Sequence, residues 1–171
     1  MSSTTDSITF QGNPLHLLGA HVAVGDNAPA FTVLANDLTP VTAACLAGTV
    51  SVILSVPSLD TPVCDLEARR FNKEAAALGP KVQILCISTD LPFAQARWCG
   101  AAGVSAVKTL SDHRDTSFGL AYGVLIKELR LLARAVLVVG PDSVIRYRQL
   151  VPEITSEPDY AAALVVVKNL V

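Results

Sequence analysis

The strongest constraint on the fold lies between positions 50 and 87. Val50-Ser51-Val52-Ile53-Leu54-Ser55-Val56 is a β-branched run with the length of a strand buried on both faces. Pro57 ends it. After a loop from Ser58 to Pro62, the apolar residues Val63, Leu66, Phe71, Ala75 and Leu78 alternate with charges at helical spacing until Gly79-Pro80 stops the pattern. Val82 to Ile87 is a second buried run. Strand, helix and strand within about 38 residues predict a βαβ unit with parallel strands and a right-handed crossover.

Weaker signals place the other elements. Short apolar alternations from Ile8 to Leu18 flank Gln11-Gly12-Asn13-Pro14, which reads as an N-terminal hairpin. Ala20 to Thr49 reads as irregular, with one short strand at Phe31 to Leu34 and Gly25, Pro29, Pro40 and Gly48 punctuating loops. A helix is expected from Pro92 to about Ala101, with Asp90 as its N-cap and Gly103 beyond its end. Val107 to Leu110 is a short strand. Ala135 to Val139 and Val144 to Leu150, joined by Gly140-Pro141-Asp142-Ser143, form an antiparallel hairpin, and a last helix runs from Tyr160 to Leu170. A chain of 171 residues with no linker, repeat or low-complexity stretch is expected to form a single domain over residues 1–171.

Composition narrows the class of partner. A net charge of -2, with no basic run longer than Arg69-Arg70, gives no footprint for a nucleic-acid backbone or an anionic membrane. The segment Met1 to Ser7 is polar and acidic where a signal peptide would be basic and then apolar, and no apolar run reaches 18 residues. A cytoplasmic location is the expectation. There, four cysteines are poor candidates for structural staples, because the compartment keeps thiols reduced. The spacings of Cys45, Cys64, Cys86 and Cys99 contain no C-x-x-C, and His16, His21 and His113 stand far from them, so no metal site is expected.

Cys64 falls in what should be the first turn of a helix, where free N–H groups and the helix dipole favour an anion. The thiolate is the reactive form of cysteine. On location alone, Cys64 is either an activated nucleophile or a small apolar filler at a helix start. Its neighbours bear on the choice: Pro57, Thr61 and Cys64 spell P-x-x-x-T-x-x-C within Val56-Pro57-Ser58-Leu59-Asp60-Thr61-Pro62-Val63-Cys64. This string resembles the active-site signature of the peroxiredoxins, and in its fuller form that of their bacterial thiol peroxidase subfamily. The resemblance continues in order through Cys86 to Gln95, Arg97 to Gly100, Leu132 to Ala135 and Leu150 to Tyr160.

The resemblance implies a thioredoxin-like α/β fold with an added N-terminal β-hairpin, and a homodimer. It implies reduction of hydrogen peroxide and organic hydroperoxides. Cys64 would attack the peroxide, with Thr61 bonding thiolate and peroxide, Pro57 shielding the site from water, and Arg134 beside the sulfur. Cys99 matches the subfamily's resolving cysteine, giving an intrachain Cys64–Cys99 disulfide recycled by thioredoxin with no cofactor. Arg134, flanked by Leu131-Leu132-Ala133 and Ala135-Val136-Leu137, stands in an apolar stretch where an unpaired guanidinium would be costly. Cys86, inside Val82 to Ile87, reads as an inert core thiol, and Cys45 similarly. The three histidines read as surface residues. Two departures, Gly140-Pro141-Asp142-Ser143 and Ala43-Ala44-Cys45, lie away from this chemistry. A thiol–disulfide oxidoreductase, a holdase and a cysteine hydrolase are the other readings; the first wants a C-x-x-C, the second would survive Cys64→Ser, and the third needs a histidine base near Cys64.

Overall fold

A computed structural model of the chain describes residues 3–171, apart from the side chains at positions 3–6, 75 and 76. Ala75, counted above in the helical pattern, thus has its side chain outside the described residues. The βαβ unit forms as expected from β5 (Val50–Ser55), α1 (Pro62–Leu78) and β6 (Val82–Ser88), with β5 and β6 parallel. All six side chains of β5 are buried. β6 continues in parallel into β7 (Val107–Ser111), and β5 pairs antiparallel with β9 (Ala135–Val139).

Seven strands make the main sheet, in the order β10-β9-β5-β6-β7-β3-β4, with β3 at Thr32–Leu34, β4 at Pro40–Thr42 and β10 at Ile145–Leu150. Successive residues of a strand face opposite sides, so the central strands feed two cores. Ile53, Leu137 and Val139 point into one, with Phe31, Phe118 and Tyr122. Val52, Leu54, Val136 and Val138 point into the other, beneath Phe71 of α1 and Tyr160, Leu164 and Val167 of α4 (Tyr160–Lys168). Asp159 caps α4 by accepting from Ala162 N at 3.0 Å.

The N-terminal hairpin joins β1 (Ser3–Phe10) to β2 (Asn13–Leu18). Its turn is tighter than the sequence suggests. Gln11 and Gly12 both take left-handed φ values, 51° and 79°, the geometry of a two-residue hairpin loop, so Asn13 and Pro14 already belong to β2. β2 also pairs with β8 (Leu125–Ile126), and the hairpin tip is tied to the loop after β10 through Thr9 N to Pro152 O and Ile154 N to Thr9 O.

Three expectations are corrected. The stretch 20–49 is less irregular than expected: besides β3 it holds β4 and a 3-10 turn at Ala43–Leu46. The buried face of α1 runs through Cys64, Glu67, Ala68, Phe71 and Leu78, while Leu66 points to solvent at 49% exposure. And Asp90 does not cap α2 (Pro92–Ala102): the N-cap position is Leu91, with no side-chain cap bond. The Asp90 carboxylate turns instead toward the loop before α1, accepting from Ser58 Oγ, Leu59 N and Ser88 Oγ at 2.7–2.8 Å. A short α3 (Ser117–Ala121) completes the helices.

Candidate active site

The loop from Pro57 to Thr61 carries the chain off the end of β5 and into α1, so Cys64 occupies the third helical position after the N-cap Thr61 and Pro62. Cys64 is fully buried. Its Sγ receives the Thr61 hydroxyl at 2.8 Å and Arg134 Nη2 at 3.3 Å. Thr61 Oγ1 is also 2.7 Å from Ser58 O. A hydroxyl has one proton to give. Beside a thiolate that proton goes to sulfur; beside a thiol it goes to the Ser58 carbonyl, and the thiol donates to Oγ1. The N-cap hydroxyl makes no bond to a helix amide, so it is diverted from its usual capping work to the sulfur.

Arg134 precedes β9 and is 2% exposed. Each of its nitrogens is engaged: Nε and Nη2 donate to Ile154 O at 3.0 and 2.9 Å, and Nη1 donates to Glu67 Oε2 at 2.5 Å. Burial opposes its charge, but the Cys64 and Glu67 anions outweigh burial and hold the guanidinium protonated. Glu67 was not anticipated from the sequence. It stands three residues after Cys64 and four before Phe71, which is the spacing of a shared helix face, and that relation was the available signal. Burial pushes its carboxyl up to about 7 against the pull of Arg134, and Oε1 is buried with no hydrogen-bond partner.

A mouth of about 220 Å³ is lined by Phe10, Pro57, Pro62, Val63, Ile154 and Thr155 together with Thr61 and Arg134, the two residues that bond the Cys64 sulfur. Pro57, Thr61, Cys64 and Arg134 are thus brought together. Fixed donors on two sides of a buried sulfur stabilise its anion, and they also suit charge that develops on an oxygen approaching it.

Cys99 is not in that group. It lies near the end of α2, half-buried, with Sγ 3.4 Å from Thr109 Oγ1 on β7, in a separate cavity of about 500 Å³ shared with Asn36, Cys45 and Lys108. All four cysteines are free thiols. The two sulfurs meet different partners, Arg134 just before β9 for Cys64 and Thr109 on β7 for Cys99. A disulfide needs Cα atoms within about 7 Å, and one between Cys64 and Cys99 would take each sulfur from its present partner.

Cys86 is fully buried in β6, and burial raises its thiol well above the usual range, as suits an inert core residue. Cys45 is only half-buried in the 3-10 turn and faces the larger cavity, so it is less a core thiol than expected. His16 pairs with Glu128 at 2.6 Å in an exposed position, His21 is exposed, and His113 Nδ1 lies 2.9 Å from Ser111 Oγ, half-buried rather than at the surface. Among the described residues, no three His, Cys, Asp or Glu side chains gather into a metal-holding group, and no helix is long and apolar enough to cross a membrane.

Comparison with known proteins adds a second line of observation. Residues 23–164 match the Redoxin family. The chain is 59% identical over 158 residues to a thiol peroxidase of Halalkalibacterium halodurans, covering 92% of this chain and 95% of that one. It is 54% identical over 164 residues to a thiol peroxidase of Bacillus subtilis, covering 96% and 98%. Among solved structures, a peroxiredoxin-like protein from Aquifex aeolicus superposes with a TM-score of 0.89 at 39% identity over the whole of both chains. A thiol peroxidase from Chromobacterium violaceum, 20% identical, shares the fold with a TM-score of 0.86 over 97% of each. These likenesses bear out the thioredoxin-like α/β fold with its added N-terminal hairpin.

Proposed function

We propose, for a chain that belongs to the Redoxin family as a peroxiredoxin-type thiol peroxidase, that Cys64 is the peroxide-reducing thiol and Cys99 the thiol that resolves it. The observation that carries this reading is the buried Cys64 sulfur held by two fixed donors, Thr61 Oγ1 and Arg134 Nη2, whose residues line an open mouth.

The cycle balances as follows. The Cys64 thiolate attacks the terminal oxygen of a hydroperoxide, an S–O bond forms, the O–O bond breaks, and the alkoxide or hydroxide leaves and takes a proton. Thr61 and Arg134 hold the sulfur anion and steady the charge that spreads along the reacting line. Pro57 keeps water from the sulfur. The resulting Cys64 sulfenic acid is attacked by the Cys99 thiolate; a disulfide forms and water leaves. A dithiol protein, thioredoxin by family habit, returns both cysteines to thiols by exchange. No cofactor enters this cycle. A single-domain homodimer in the cytoplasm is the setting that fits, with hydrogen peroxide and organic hydroperoxides as substrates and neither nucleic acid nor membrane as partner.

The test is hydroperoxide consumption with thioredoxin, thioredoxin reductase and NADPH. Wild type turns over; Cys64→Ser is inactive; Cys99→Ser undergoes one oxidation at Cys64 and then stalls with this donor. Undiminished turnover in Cys64→Ser would overturn the reading.

A further inference from the structure

Asp90, which does not cap α2, carries a contact set that the cycle above does not use. Its carboxylate reaches across to the loop before α1. Oδ1 accepts from Ser58 Oγ at 2.7 Å and Oδ2 from Leu59 N at 2.8 Å. Leu59 N belongs to the same peptide unit as the Ser58 carbonyl, and that carbonyl accepts both donors of Thr61, Oγ1 at 2.7 Å and N at 3.2 Å. The peptide unit is planar and trans, so its N–H and C=O point in opposite directions. Holding the N–H on Asp90 therefore aims the carbonyl at Thr61, whose hydroxyl lies 2.8 Å from the Cys64 sulfur.

The other side of Asp90 is anchored to the sheet. Oδ2 also accepts from Ser88 Oγ at 2.7 Å, and the Asp90 carbonyl accepts from Ser111 Oγ. Ser88 ends β6 and Ser111 ends β7, both buried, and Gln95 Nε2 donates to Ser88 Oγ at 3.0 Å. A side chain tied to the ends of two central strands is a rigid post for a loop. Ser58 Oγ also accepts from Asp60 N at 3.1 Å, so the loop is held at three consecutive residues. Position matters at Thr61 because its single hydroxyl proton has two takers, Ser58 O and Cys64 Sγ. Oγ1 must stay within reach of both as the sulfur changes charge.

We propose that Asp90 is a positioning residue for the peroxide step: through the Ser58–Leu59 peptide it places the Thr61 hydroxyl against the Cys64 sulfur. The inference rests on the reading of Cys64 as the peroxidatic thiol. Asp90 bonds Ser58, Leu59 and Ser88 rather than Cys64 or Arg134, so apart from its charge its effect on the reaction passes through Thr61. Misplacing a reacting group by about 1 Å costs on the order of 100-fold in rate, and a loosened Thr61 that still samples the right place loses about tenfold.

The experiment is a double-mutant cycle on the fully reduced protein, read as the second-order rate constant for loss of the Cys64 thiol with hydrogen peroxide. Asp90→Ala is made in wild type, in Thr61→Ser and in Thr61→Val. The slowdown it causes is expected to be about tenfold larger in wild type and in Thr61→Ser, where a hydroxyl is present to be placed, than in Thr61→Val. The charge that Asp90→Ala removes acts through space in every background and cancels in this ratio. A ratio below about threefold, near the scatter of independent sites, overturns the proposal, and is what a residue serving the fold alone would give. So does a Thr61→Ser background that behaves as Thr61→Val. Should Asp90→Ala fail to fold by circular dichroism, Asp90→Asn, whose amide can accept on one arm but not on both, takes its place under the same criterion. No loss of the Cys64 thiol with hydrogen peroxide in wild type would instead overturn the peroxidase reading, so the two failures are distinct.

Discussion

At the scale of single residues, Thr61 separates chemistry from stability unusually well. An N-cap threonine normally contributes about 1 kcal/mol to its helix, but here the hydroxyl bonds Cys64 and Ser58 rather than a helix amide. Thr61→Val should therefore lower the thermal midpoint little while slowing Cys64 oxidation by about 10²- to 10³-fold, the range for loss of one preorganised donor. Thr61→Ser, which keeps the hydroxyl, should retain most of the rate. Equal rates for Val and Ser would assign the donor role elsewhere. The residues of this site were readable in the sequence to different degrees, for physical reasons. Pro57, Thr61 and Cys64 lie within one short loop and helix start, so their spacing is local. Arg134 was readable because its apolar surroundings demand a partner, but the partner was not. Glu67 reads as one more charge among Asp65, Arg69, Arg70 and Lys73, and only its register with Cys64 and Phe71 marks it as buried.

At the scale of elements, α1 and α2 are clasped beside Cys64 and Cys99. Trp98, the chain's sole tryptophan and the neighbour of Cys99, donates Nε1 to Asp65, the neighbour of Cys64, at 2.9 Å. Arg69 bonds both oxygens of that carboxylate at 2.9 Å, reaches Ala102 O at 2.9 Å, and lies over the indole at 6.0 Å. The clasp holds the helices together while the Cys64 sulfur bonds Arg134 and the Cys99 sulfur lies against Thr109, so it opposes any separation of the helices that the proposed disulfide step would use. Trp98→Phe removes a hydrogen bond worth about 1 kcal/mol, and the step from sulfenic acid to disulfide should quicken about fivefold. Rapid-quench mass spectrometry of the two species measures it; an unchanged rate would mean the clasp is already open when the step occurs. In the oxidised protein, amide exchange across 92–102 should exceed that of the reduced protein. The sequence conveyed the long elements and the short strands at Thr32–Leu34 and Val107–Ser111, and missed others. A strand of three residues at Pro40–Thr42 or two at Leu125–Ile126 is too brief to show a period, and is fixed by its neighbours in the sheet. Asp90 was misassigned because a cap and a loop tie look alike in sequence: both are an acid before a proline-led helix.

At the scale of the whole molecule, the burial of Glu67 makes stability fall as pH rises toward neutrality. Burial raises the Glu67 carboxyl from 4.5 to about 7, so the folded protein holds this proton more tightly than the unfolded chain. Glu67 favours the fold fully below pH 4.5, and that contribution is lost as pH rises through the interval up to about 7. A change of this size corresponds to about 3 kcal/mol. Glu67→Gln has no proton to lose, keeps an acceptor for Arg134 Nη1, and should not show the decline. Other shifted carboxyls, among them Asp112, raised by burial, and Glu153, lowered by its hydrogen bonds, are common to both proteins and cancel in the difference. Thermal midpoints of reduced wild type and Glu67→Gln, measured from pH 4.5 to 8, should diverge with rising pH by several degrees in favour of the variant. Parallel curves would place the Glu67 proton outside this range. The Glu67 carboxylate bonds Arg134 Nη1 while Nη2 of the same guanidinium reaches Cys64, so Glu67 positions the guanidinium beside the sulfur. On that account Glu67→Gln gains stability above pH 7 and loses rate there, because a neutral amide holds the guanidinium less firmly than a carboxylate does.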